Sequence, residues 1–205
     1  MSVAKLKFDK TINRCMDLVS LYEQLKADNP GMNFSQDILR GAIVLAVAAF
    51  DAYATDCFAE HFVVYIKTNK IDSSLEELLE KAGFTTKFAL SLLKTERPYR
   101  KIRTLIDRYY CKYTTQKLQV VDDLFKNYHI KNLTLNAAKK SGKNAKRLLN
   151  SVTTVIERRH SIVHDGDYNE HNRIKSVVDT DLKRISDLKI LVENMEDIIE
   201  NKFEK

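Results

Sequence analysis

The stretch GAIVLAVAAFDAY, residues 41 to 53, constrains this chain more than any other. Val and Ile would suit a strand, but the length of the surrounding pattern and the Ala content favour a helix. That helix is predicted from an N-cap at Ser35 to about Lys67. It is apolar nearly all round, so it must be covered on several sides, and its small residues let neighbouring helices approach closely. Only five Gly and two Pro occur in 205 residues, which leaves few places where helices are broken. The expected architecture is therefore an all-α bundle built round this segment.

The neighbours are also legible. Residues 6 to 28 carry Leu6, Ile12, Met16, Val19, Tyr22 and Leu25 at helical steps, and Asn29-Pro30-Gly31 ends the run. Ser74 and Glu77 have capping-box spacing for a short helix to Ala82, closed by Gly83. Weaker helical stretches cover 84–94, 98–112 and 114–127. From Asn144 to about Val163, Ala145, Leu148, Leu149, Val152, Ile156 and Val163 mark another helix. Thr180 is the expected cap of a last helix through Phe203, with Leu182, Ile185, Leu188, Val192, Met195 and Ile199 on one face. The reading is one domain over residues 1–205, with four or more main helices and a helical elaboration between about 70 and 140.

Cys15, Cys57 and Cys111 are scattered and odd in number, which argues against a disulfide framework and a zinc site. The start MSVAKLKFDK has no apolar signal core, and the run from Ala42 to Phe50 is about half the ~20 residues a spanning helix needs. A cytoplasmic protein with no membrane contact is expected. Its formal charge of +6 favours encounter with phosphate-rich partners without fixing one.

Chemistry concentrates in VIERRHSIVHDGDY, residues 155 to 168. His160 and His164 stand four apart and share a helical face. Arg159 leaves an ideal helix about 140° round the axis from His164. Either a second copy of the chain or fraying at the Asp165 turn is needed to bring both to one atom.

The segment Arg159-His160-Ser161-Ile162-Val163-His164 resembles the Rx4-6H signature of the HEPN superfamily, in the form Arg, polar residue, three residues, His. Asp165-Gly166-Asp167 looks like the loop that commonly follows it. The block from Arg40 to Tyr53 resembles the second helix of the RiboL-PSP subgroup. This resemblance implies a dimeric endoribonuclease in which two motifs meet at a two-fold interface. It implies attack of an RNA 2′-OH on the adjacent phosphate, with no metal or other cofactor. His164 maps to the proton-transferring His, Arg159 to the phosphate clamp, and His160 to the polar position that orients its neighbours. These residue types suit the task, since imidazole exchanges protons near neutral pH and guanidinium holds phosphate oxygens. The setting implied is toxin–antitoxin or phage defence, with an antitoxin protein as a possible partner. Some HEPN toxins carry a Tyr two residues beyond the motif His, where a nucleotidyltransferase modifies it. Here that position is Gly166, and the nearest tyrosine is Tyr168.

Other readings stand beside these. A HEPN-like module can bind RNA or a protein without cleaving. Arg158 and Arg159 also suit a helix C-terminus as plain cations, with His164 as a cap. His160, His164, Asp165 and Asp167 are a conceivable but incomplete metal shell. Two basic clusters can grip RNA or serve as solvated faces. One mixes Tyr99, Arg100, Arg103, Arg108, Tyr109, Tyr110, Lys112 and Tyr113; the other comprises Lys139, Lys140, Lys143, Lys146 and Arg147. Asp51 and Asp56, in the apolar helix, call for a cation on a neighbouring helix or a place at a dimer cleft.

Overall fold

The computed structural model describes residues 1–30, 35–110 and 117–203. Nine helices occur among these residues: α1 Val3–Asp28, α2 Asp37–Thr68, α3 Ser73–Lys81, α4 Thr86–Leu92, α5 Pro98–Tyr110, α6 Leu118–Lys126, α7 Leu133–Lys140, α8 Ala145–His164 and α9 Asp179–Phe203. The all-α expectation holds. Gly31, the ends of the helical stretches predicted near 112 and 114, Cys111, Lys112 and Tyr113 lie outside the described residues.

As its composition requires, α2 is central. It packs against α1, α5, α8 and α9 and buries Ile43, Val47, Phe50, Tyr53, Phe58 and Phe62. Its apolar character runs well past Phe50, so by length and composition alone α2 is able to span a membrane. Here 61% of its most apolar window is buried inside the fold, as in a core helix. Aromatic rings close the far end of the core, where Phe58 stacks on Tyr128 with ring centroids 4.5 Å apart. Asp56 meets Lys7 of α1 at 2.7 Å, which supplies the cation its position called for.

Several local expectations are corrected. The first helix starts a turn early, because the Ser2 hydroxyl accepts from the Lys5 amide. Its buried stripe is Ala4, Phe8, Ile12, Cys15 and Tyr22, while Leu6 and Met16 face outward. The physical reason is an anchor at its N-terminus. The Val3 and Ala4 amides donate to Glu60 of α2, and the Ser2 amide and hydroxyl donate to the buried Glu196 of α9, which also accepts from the Tyr53 hydroxyl. Those bonds set the rotation of α1.

Caps shift for similar reasons. Gln36, not Ser35, flanks α2, and its amide pairs with both backbone groups of Val177. Asp72 caps α3 through the Leu75 amide, so Ser74 bonds Asn127 and Glu77 pairs with Lys81 instead. At α9 the carboxylate of Asp181 reaches back to the Val178 amide, and Thr180 lies inside the helix. Val163 is exposed, not core. Finally, α7 was not anticipated. It is short, it begins after Asn132 at a positive φ of 51°, and it packs on α8 and α9.

Candidate functional site

Helix α8 positions the motif. Asn144 caps it by accepting from the Arg147 amide, and Leu148, Val152, Val155 and Ile156 hold one face in the core. Residues one or two turns further on inherit that phase. Arg159 continues the line of Val152, Val155 and Ile156, and accordingly is half-buried with its Nε shielded from solvent. His160 and His164 fall on the opposite side and are exposed, with ring centroids 4.5 Å apart and planes tilted by 41°.

The helix runs unbroken to His164, and the Asp165 amide still donates to Ser161. Fraying therefore does not bring Arg159 round to His164 within one chain. What ends the helix is a pair of left-handed residues, Gly166 at φ 64° and Asp167 at φ 63°. A Cβ on Gly166 would stand 3.2 Å from the Tyr168 ring, so a side chain is unwelcome there on both counts. The chain then turns back as a small hairpin, with Tyr168 opposite Ile174 and the Lys175 amide donating to the Asp167 carbonyl.

Asp167 is the electrostatic centre of this region. Its side chain is fully buried, and Oδ2 accepts from Arg40 Nε at 2.8 Å and from Arg158 Nη2 at 2.9 Å. Both guanidinium groups also donate to the Lys175 carbonyl, and Arg158 donates to that of Ser176. At the rim, Asp37 meets Arg40 at 3.1 Å; the Ser35 hydroxyl, then Arg40, hold its carboxyl below the usual range. The two cations and two carboxylates tie the start of α2, the end of α8 and the hairpin into one unit. Such a pair is tolerable in a protein interior only with this density of hydrogen bonds.

This arrangement separates Arg158 from Arg159. Arg158 is turned towards Asp167, whereas Arg159 and the two histidines do not contribute to the Asp167 bonds. It also removes Asp167 from the conceivable metal shell, since its bonded oxygen faces guanidinium groups. No group of three or more His, Cys, Asp or Glu is placed to hold a metal among the described residues.

Sequence reasoning missed the roles of Arg40 and Asp167. One signal was available: Arg40 lies on the helical line of Ile43, Val47 and Phe50, and a cation on a core stripe demands a buried anion. Nothing local pointed to Asp167 as that anion. Beside the site, Val44, Leu45 and Ala48 of α2 face Ile162 and Ile174 across an open, mostly apolar groove of about 630 Å³.

An all-helical bundle with an arginine–histidine motif at the end of a core-packed helix defines the HEPN class of domain. The chain matches the RiboL-PSP-HEPN family over residues 9–201 and belongs to it. The comparisons with curated proteins and with solved structures return no match.

Proposed function

We propose that this chain is a metal-independent endoribonuclease whose active site is completed by two copies. The observation that carries the reading is the exposed pair His160 and His164 at the end of the helix that carries Arg159, in a chain of the RiboL-PSP-HEPN family. The RNA 2′-oxygen attacks the adjacent phosphorus, and the bond from phosphorus to the 5′-oxygen breaks. The products are a 2′,3′-cyclic phosphate and a 5′-OH end. One proton leaves the 2′-OH and one is delivered to the departing 5′-oxygen, and His164 serves as the exchanging group. Arg159 neutralises charge on the phosphate oxygens as it develops. His160, against the His164 ring, orients it.

The dimer follows from the angle between Arg159 and His164, and the apolar groove supplies a surface for the second copy. Val163, Tyr168 and Ile174 are each about half exposed beside it, at 47%, 50% and 56%, which is much apolar surface for one small region. A cytoplasmic toxin or phage-defence effector, restrained by an antitoxin protein, is the setting we assign.

The test is digestion of RNA followed by analysis of the ends. Cyclic phosphate and 5′-OH ends, cleavage that persists in chelator, and a block by deoxyribose at the scissile position are expected. Ends carrying 5′-phosphate, or activity restored only by added metal, would overturn the mechanism. A folded protein that cleaves no RNA would make it a binding module.

A further inference from the structure

We propose that the basic face of α5, with the groove it forms against α4, holds the phosphate backbone of the substrate RNA at a distance from the cleaved bond. This rests on the reading of RNA as the substrate. Ile102 and Ile106 are buried and orient α5 against α2. That rotation sends Arg97, Lys101, Thr104 and Arg108 out along one line, with Arg100 beside it. The turn between the helices adds Lys94 to an open groove of about 760 Å³, where Phe88 and Leu105 supply apolar surface and Glu96 is the single acid.

Many exposed cations of this protein sit against a carboxylate, as Lys81 does with Glu77, Lys140 with Asp197 and Lys189 with Glu193. Lys94, Arg97, Arg100 and Lys101 are exposed, and among the described residues none has an ion-pair partner. Arg97 and Lys101, one turn apart, repel each other and weaken the helix by themselves. A polyanion removes that penalty, and it gains by releasing its own counterions. An aromatic and an aliphatic side chain in the same groove suit a single strand with its bases unstacked, since these offer apolar faces as well as phosphates.

Position decides what this face does. The Tyr99 ring lies under Lys67 Nζ at 4.1 Å, so α5 begins beside the far end of α2 from Arg40. The rise of a helix puts those ends roughly 40 Å apart. The groove does not reach the scissile phosphate, and it contributes affinity without altering chemistry.

The experiment measures binding of a labelled, 2′-O-methylated single-stranded RNA, long enough to span α2, at several salt concentrations. In the variant K94Q/R97Q/R100Q/K101Q, the slope of log affinity against log salt should flatten by about 3, and low-salt affinity should fall at least tenfold, about 0.7 in slope being expected per phosphate contact. Cleavage of a dinucleotide should stay at the wild-type rate. The control K81Q/K140Q/K143Q/K189Q should change the slope far less, because each of these lysines already pairs with a carboxylate. If the quadruple variant does not fold, R100Q/K101Q should give about half its effect. An unchanged slope, or equal flattening in the control, overturns the proposal. So does an unchanged slope with lost binding of poly-glutamate, which would reassign the face to an acidic protein. RNA cleavage with an unchanged slope defeats the groove alone; groove-dependent binding with no cleavage of any RNA defeats the ribonuclease reading alone.

Discussion

Asp167 Oδ2 lies 2.8 Å from Arg40 Nε, a buried ion pair between residues 127 apart in the chain. Arg158 shares the same oxygen, so one carboxylate holds two guanidinium groups at the junction of α2, α8 and the hairpin. Asp167→Ala leaves both cations without their anion. It should cost about 3–5 kcal/mol, read as a lower denaturant midpoint at unchanged slope. Arg40→Lys should recover little, because an ammonium cannot reproduce the guanidinium fork that reaches Asp167, Lys175 and Asp37 together. A loss below about 1 kcal/mol for Asp167→Ala would mean the pair does not hold the junction.

The histidines stand outside this network, so their loss should be felt in turnover and not in folding. His164→Ala should lower RNA cleavage by ~10²–10⁴-fold with affinity nearly unchanged. Arg159→Ala should lose most turnover and some affinity, because its cation meets phosphate in ground and transition states alike. His160→Ala should be milder. A folded His164→Ala protein that cleaves at the wild-type rate removes the motif from the mechanism.

If two copies complete the site, the groove between α2 and the hairpin is where charge will hurt most. Val44→Glu and Ile174→Asp alter half-buried and exposed positions respectively, and each should leave helicity and melting nearly unchanged. Each should shift sedimentation from dimer to monomer, and cleavage should fall with the dimer fraction. Full activity from a monomer at micromolar concentration would refute the composite site.

Thiol chemistry offers an independent check on the core. Burial pushes the Cys15 thiol up to about 11 and moves that of Cys57 upward as well. At neutral pH neither should react with iodoacetamide in the native protein, since the thiolate is the reactive form and both are buried. Both should be alkylated in denaturant. Rapid native labelling at either position, located by mass spectrometry, would show that α1 or α2 opens far more easily than this packing allows.

What could be read without coordinates was whatever depends on neighbours along the chain. The apolar girth of α2, the stripe of α9 and the place of Arg159 and His164 at the end of α8 are all periodic signals, and periodicity is local. Caps were read less well. Ser35 and Ser74 have the right chemistry at nearly the right place, but Gln36 and Asp72 sit where the helices begin, and distant partners helped decide that. Similarly, α7 is too short for its own pattern to outweigh its polar residues, and it is held by α8 and α9.

The rotation of α1 is a tertiary decision: Leu6 and Phe8 compete for the same core, and Glu60 and Glu196 settle it by gripping the amides of Val3, Ala4 and Ser2. The sorting of Arg158 from Arg159 is another. Side by side in the sequence, they differ because a helix turns 100° per residue, which aims one at Asp167 and leaves the other in line with the core face of α8. Amino-acid sequence alone determined that there would be a buried helix and a basic, histidine-bearing helix end. Only folding across 127 residues could bring Arg40 to Asp167, because their attraction is strong only where water is excluded, and water is excluded only once the helices have met.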